Sequence, residues 1–196
     1  KAFAEGLEAI GFRSNRAELL NSPDNGKKSV FSKANFPVSP FICETMEPMT
    51  YVAQPFGSQM TVDFLVCPIP GVVWPFELKS SKHVRPMLNS VMKMGFVYLF
   101  SSEKGGARPT TVYTGRQMVS EEELRLVAAF KRRQQQEAKN HGVIFQNPMI
   151  GVVKNRAKLD WATGVNFMNY EQRAANENAV FQSMLESLGK RETPVF

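Results

Sequence analysis

Of its 196 residues the chain has only two cysteines, Cys43 and Cys67, and only two histidines, His83 and His141. Two cysteines that far apart make neither a disulfide framework nor a paired metal-ligand motif, and the simpler expectation is a reducing, intracellular setting. Two histidines cannot build a histidine-rich zinc site, and both read as surface or loop residues rather than catalytic ones. Long apolar runs are missing too. The longest uncharged stretch in the middle of the chain, Phe64 to Phe76, is broken by Pro68, Pro70 and Pro75 and is too short to cross a bilayer. The opening residues Lys1 to Gly6 lack the charged-then-apolar order of a secretion signal, and with no initiator Met the chain reads as processed or trimmed. Position 21 is Asn, so Gly26-Lys27 has no upstream glycine and no phosphate loop forms; a Gly-x-Gly-x-x-Gly fingerprint and a Gly-x-Ser-x-Gly elbow are absent as well. These absences remove P-loop nucleotide hydrolysis, dinucleotide-dependent hydride transfer and serine hydrolysis from the reading.

The remaining composition is that of a folded globular protein, with 43% hydrophobic and 21% charged residues. A net charge of +6 is a modest bias that favours a polyanionic partner, so nucleic acid is a candidate. The periodicity predicts a helix over 2–20, with Phe3, Leu7 and Ile10 on one stripe and Gly11 as a break. Strands follow at Thr50–Ala53, Val62–Cys67, Val72–Lys79, Phe96–Ser101 and Thr110–Thr114. A capping-box sequence at Ser120–Glu123 opens a helix over Glu121–Asn140 that has acids first and bases last, as the helix dipole favours. A short strand at Val143–Phe145, a basic segment with Lys154, Arg156 and Lys158, and a helix over Tyr170–Leu188 stopping at Gly189 complete the order. The expected architecture is one domain of α/β (α+β) class: an N-terminal helical region over 1–35, an α/β core over 36–155 and a C-terminal helical region over 156–196.

One segment stands apart. Asp63, Glu77 and Lys79 lie inside strongly apolar strand sequence, where a charge is costly unless it is paired or bound to a metal. Strand alternation places Glu77 and Lys79 on one face and Phe76 and Leu78 on the other, toward the core. If the two strands form a hairpin about Pro70, residues whose numbers sum to about 140 lie opposite, and Asp63 faces Glu77. Two converging carboxylates repel unless a hard cation such as Mg²⁺ takes oxygen ligands from both, and Lys79 beside them is able to hold and polarise a water. That is a setting for metal-assisted attack on a phosphodiester. A structural ion pair is the competing reading. A second acid-x-Lys triplet, Glu137-Ala138-Lys139, sits in a polar helix and is read as accidental.

Asp63 followed by Glu77-Leu78-Lys79 resembles the catalytic signature of the PD-(D/E)xK nuclease superfamily, with an acid at the end of one strand and Glu-x-Lys on the next. The stretch from Gln54 to Val119 resembles type II restriction endonucleases in particular, through Gly57-Ser58-Gln59, Asp63-Phe64, Lys79-Ser80-Ser81, Pro86, Asn89, Val97 to Ser101 and Thr110-Thr111. Val62 stands where the signature has proline. The resemblance implies a central mixed β-sheet flanked by helices, in which Asp63 and Glu77 ligate one or two Mg²⁺ ions, the Leu78 carbonyl adds a ligand and Lys79 positions the water. Glu5, Glu8 and Glu18 of the N-terminal helix are open candidates for a further acid.

Around this signature, Gln59, Ser80, Ser81, Lys82, His83, Arg85 and Asn89 are candidate DNA contacts, with a solvated loop as the competing reading for Lys82, His83 and Arg85. Arg108, Arg116 and Gln117 flank the Thr110–Thr114 strand and are candidates for base readout, against ordinary surface residues as the plainer reading. The expected activity is Mg²⁺-dependent, sequence-specific cleavage of double-stranded DNA. It is expected in the cytoplasm of a prokaryote or in a virus, with no membrane partner, by a homodimer whose candidate surfaces include Phe3, Leu7, Val180, Phe181 and Leu185. A structure-selective repair or recombination nuclease and a non-catalytic DNA-binding module are the alternatives.

Overall fold

Residues 1–15, 38–55, 62–84, 95–118, 120–140 and 168–194 are described by the computed structural model. Helix α1 (Ala2–Ala9) is shorter than the sequence predicts. Gly11 adopts φ +96°, a conformation that favours glycine, and turns the chain out of the helix. Ile10 is consequently off the apolar stripe and 68% exposed, while Leu7 is buried. Beyond the turn, Arg13–Ser14 forms a short strand, β1, in place of continued helix. Helix α2 (Pro40–Thr45) lies where the sequence reading ended a loop; Ser39 caps it, its Oγ accepting from Ile42 N at 3.3 Å, and Pro40 occupies the first turn.

Five further strands follow: β2 (Thr50–Ala53), β3 (Phe64–Ile69), β4 (Val72–Ser81), β5 (Val97–Ser102) and β6 (Thr110–Thr114). They form one six-stranded sheet in sequential order. The β1–β2 and β4–β5 pairs are parallel and the others antiparallel, so the sheet is mixed. The β3–β4 hairpin has the expected register, Phe64 opposite Phe76, Leu65 opposite Pro75 and Val66 opposite Trp74, and then shifts before Ile69 and Val72. Gly71, at φ +81°, makes the turn. Strand β3 starts two residues later than predicted, which leaves Asp63 just ahead of it.

One sheet face carries Tyr51, Phe64, Val66, Phe76, Val97 and Val112 against Leu7 and Val180. Phe3 of α1 closes on this face, its ring centroid 5.0 Å from Phe64 and 5.1 Å from Phe76. Phe3, Leu7 and Val180, expected as part of a dimer surface, are therefore packed inside the monomer, since the α1 stripe and the buried stripe of the last helix cover the sheet. The opposite face presents Leu65, Cys67, Tyr98, Phe100 and Tyr113, all buried, with the Cys67 thiol donating to Met46 O at 3.6 Å. Both cysteines are free.

Helix α3 (Gly115–Met118) follows β6 directly, and α4 (Glu121–Asn140) has the predicted bounds. Helix α5 (Tyr170–Lys190) starts at an Asn169 cap, passes Gly189 and ends at Arg191, whose φ of 55° is left-handed. It lies along the open edge of β6. Arg173, 1% exposed, donates to Arg108 O at 2.9 Å and Thr110 O at 2.6 Å, carbonyls that would otherwise line a bare sheet edge. Glu177 balances its charge at 3.4 Å and also accepts from Thr111 Oγ1 at 2.7 Å and Arg108 at 3.3 Å. Burial lowers the guanidinium pKa, and the adjacent Glu177 carboxylate opposes that shift. Among the described residues no helix is long and apolar enough to cross a membrane. The expected strand at Val143–Phe145 and the basic segment around Lys154, Arg156 and Lys158 lie outside the described residues.

Replacing Arg173 with Ala strands the Glu177 carboxylate and two edge carbonyls, so urea unfolding is expected to give a loss of about 3 kcal/mol or more. A loss below about 1 kcal/mol, within the range of ordinary exposed ion pairs, would mean that the edge network contributes little to folding.

Alkaline stability is expected to fall for a second reason. Burial, and secondarily the neighbouring Cys43, pushes the Cys67 thiol from 9.0 up to about 11. The native state therefore holds this proton more tightly than the unfolded chain. The associated stability is complete below pH 9.0 and is lost as pH rises toward 11. Denaturation midpoints measured across this window should fall for the wild type and fall less for Cys67→Ala.

Candidate active site

Strand β4 has two neighbours of unequal reach. Its ladder with β3 ends at Phe64 and Phe76, whereas its ladder with β5 continues to Ser81 and Ser102. From Glu77 onward β4 is consequently paired on the β5 side only, and the sheet opens into a fork. Asp63 sits in that fork. Its backbone N donates to Phe76 O at 3.0 Å, its carbonyl accepts from Gln54 N at 2.7 Å, and its Oδ2 accepts from Leu78 N at 2.7 Å. The carboxylate thus takes the place of the strand partner that β4 loses. These bonds fix Asp63 beside the peptide joining Glu77 to Leu78.

Glu77 is 5% exposed, and its Oε1 accepts from Lys79 Nζ. Lys79 is two residues along the strand and on the same face, as strand alternation requires. Leu78, on the other face, packs against the core. In register with Glu77 on β5 is Tyr98, and opposite Tyr98 on β6 is Tyr113. The two phenol rings stack in parallel, centroids 5.4 Å apart and planes 3° apart. The Tyr113 hydroxyl is driven well above its usual range, mainly by burial, with Tyr98 and Glu77 adding to it. Both the stacking and the Glu77 charge bear on a phenol that stays neutral. The tyrosine row was not anticipated from the sequence, because it depends on the β4–β5 parallel register across an intervening connection.

The donor set fits a hard cation. Mg²⁺ is usually held by one or two carboxylates, with waters and substrate phosphates completing its octahedron. Asp63 and Glu77 supply two carboxylates at the fork. Among the described residues no group of three or more His, Cys, Asp or Glu side chains stands together, so the protein's share of ligands there is this acid pair and backbone carbonyls. The N-terminal helix adds no third acid from Glu5 or Glu8. Glu8 accepts from the Tyr51 hydroxyl at 2.6 Å, on the sheet face opposite Glu77, and Glu5 lies 3.7 Å from Lys1 at the surface. Glu18 falls outside the described residues.

The candidate DNA contacts divide into three groups. Ser80, Ser81 and Lys82 line a polar depression of about 550 Å³ at the end of β4, together with Ser101, Ser102 and Glu103. His83 is beside it, exposed, with its N–H donating to Ser81 Oγ at 3.0 Å. A row of hydroxyls from Ser80 through Ser101 to Thr110 crosses three strands, since Ser80 pairs with Ser101 and Ser101 with Thr110. The second group is engaged internally. Arg108 pairs with Glu177 and lies 6.0 Å from the Tyr170 ring centroid, and Gln117 accepts from Thr114 N at 2.8 Å and donates to Asn176 O at 3.0 Å. Arg116, near them, is exposed. Gln59, Arg85 and Asn89 form the third group and lie outside the described residues.

No protein-family model, curated protein or solved structure matches the chain.

Asp63 has two separable properties here, an acceptor for Leu78 N and a negative charge. Asp63→Asn keeps the acceptor, so its stability is expected to stay within about 0.5 kcal/mol of wild type, while Asp63→Ala leaves the Leu78 N–H without that partner and costs about 1–2 kcal/mol. Calorimetry or urea titration of the two variants checks this. Equal losses would show that the fork does not depend on the side-chain bond.

Proposed function

We propose that the protein is a Mg²⁺-dependent endonuclease that hydrolyses phosphodiester bonds of double-stranded DNA at a specific sequence and works as a homodimer. The observation that carries this reading is the fork at β4, which gathers Asp63, Glu77 and Lys79 at one sheet opening. It agrees with the acid-then-Glu-x-Lys order of the PD-(D/E)xK signature, an acid ahead of one strand and the other two residues on the next. Support also comes from the +6 charge and from the exposed hydroxyl and lysine side chains alongside the fork.

Asp63 and Glu77, with the Leu78 carbonyl, are the groups that would hold the ion. When bound, Mg²⁺ supplies charge neutralisation at the scissile phosphate and lowers the pKa of a coordinated water. The chain's own contributions are positional. The Asp63 bond to Leu78 N aims one carboxylate into the opening, and burial of Glu77 keeps the second from swinging away. Lys79, released from Glu77 as the carboxylate turns to a stronger cation, is placed to orient the attacking water and to hold charge on the phosphate oxygens. Ser80, Ser81 and Lys82 then lie along the path of the DNA backbone, where hydroxyls and an ammonium position a strand without reading its sequence.

The Glu77–Lys79 ion pair favours a second reading, because an internally satisfied pair also suits a DNA-binding module that cuts nothing. Incubation of phage DNA with the protein separates the two. Discrete fragments that require Mg²⁺ are expected, and the Asp63→Ala, Glu77→Gln and Lys79→Ala variants should each lose cleavage by about 100-fold or more while still binding. Binding should weaken with salt at a slope of about −0.9 per neutralised phosphate. Salt-sensitive binding without cleavage would leave the module. Non-specific structure-dependent cutting would favour a repair or recombination nuclease, and the absence of both binding and cleavage would remove nucleic acid as the substrate.

A further inference from the structure

Helix α5 carries two seams. Arg173, Glu177, Val180, Met184 and Ser187 follow a 4-3-4-3 spacing and face the sheet. The residues one position further on, Ala174, Asn178, Phe181, Leu185 and Leu188, repeat the same spacing about 100° around the helix. This second seam faces outward: Phe181 is 50% exposed and Leu185 57% exposed. It carries no charge along its length, although the chain as a whole is strongly charged. Glu186 and Lys190, paired with each other at 3.5 Å, lie on the other side of the helix. The seam also borders a groove of about 330 Å³ lined by Phe3, Phe76, Leu99, Val112, Phe181 and Met184. A helix with one apolar stripe needs one surface to cover it, and a helix with two stripes of coiled-coil spacing needs two.

We infer that the outer seam of α5 docks against the same seam of a second copy of this chain, with the two helices antiparallel about a two-fold axis, Phe181 of each copy against Leu185 of the other. Charge selects both the partner and the direction. An uncharged stripe excludes an acidic or basic partner along the seam. At the ends, an antiparallel pair sets Glu171, in the first turn of one helix, near Lys190 and Arg191 at the last turn of the other, and opposes the two helix dipoles. A parallel pair would bring like ends together. The same arrangement places small Ala174 and Asn178 toward the end where bulky Leu188 approaches, so the two seams are complementary in size. The interface is self-complementary, as a two-fold requires. This inference rests on the homodimer part of the proposed function and is independent of the cleavage chemistry.

Sedimentation of the full chain without DNA or Mg²⁺, over about a 100-fold range of concentration, should give a reversible monomer–dimer equilibrium. Phe181→Ser and Leu185→Ser, both at exposed positions, should each weaken self-association by about tenfold or more with unchanged circular dichroism. Glu171→Lys should weaken it, and adding Arg191→Glu should restore it, a rescue that only antiparallel ends produce. A monomer throughout the range overturns the inference, and so does a dimer that is insensitive to both seam variants. Rapid dimerisation by the charge-swapped single variant, or failure of the double variant to recover, overturns the antiparallel direction. None of these outcomes bears on whether the fork binds metal or cuts DNA, since a monomer can nick one strand at a time.

Discussion

The buried Arg173 guanidinium holds the architecture to a single arrangement. Strand β6 is the last of the sheet, and its outward carbonyls would otherwise be available to any passing strand. Arg173 reaches two of them, while Glu177 returns the charge and takes a further bond from Thr111. A planar, permanently charged fork suits this task because it meets several acceptors at fixed angles. Such a network is worth less as net stability than as a constraint, since desolvating the charges offsets much of what their pairing returns. Once the first half of α5 is held at the β6 edge, its second half is carried across the sheet, where Val180 closes on the core.

That placement has consequences at the far side of the molecule. The end of α5 and the residues after it reach the β3–β4 hairpin. Trp74 Nε1 donates to Ser187 Oγ at 3.0 Å, and Val73 N donates to Thr193 Oγ1 at 3.0 Å. The hairpin is therefore tied at its turn, and the bulged pairing near Ile69 is backed by the tail. At its other end the hairpin is open, and Asp63 substitutes for ladder bonds that β3 no longer makes. A hairpin clamped at one end and forked at the other is rigid where it supports the sheet and accessible where carboxylates are displayed.

The protein buries charge in two different ways. Arg173 and Glu177 are enclosed in a network with several protein partners, and neither has a role left for a ligand. Glu77 and Lys79 form a smaller pair at a sheet opening, with Lys79 partly exposed and Asp63 close by. The second arrangement is able to exchange its cation, whereas the first is not. This contrast, rather than burial alone, distinguishes an edge-closing pair from a candidate site.

Much of this was legible in the sequence because it depends on local periodicity. The bounds of β2, β6 and α4, the break at Gly11, the hairpin register and the shared face of Glu77 and Lys79 all follow from alternation, caps and turns acting over a few residues. What sequence reading missed involves partners distant along the chain. Helix α2 was short enough for its Ser39-Pro40 cap to pass as loop chemistry, and α5 passed Gly189 because packing against the hairpin outweighs the local cost of one glycine. The Tyr98–Tyr113 stack beside Glu77 requires a parallel pairing that no spacing encodes. Glu8 turned to Tyr51, and Arg108 and Gln117 turned to α5, because tertiary packing put acceptors within their reach. The sequence by itself determined which residues alternate, cap and turn; the tertiary structure decided which polar groups meet, since a side chain's partner is set by what the whole sheet and its helices bring to within hydrogen-bond distance.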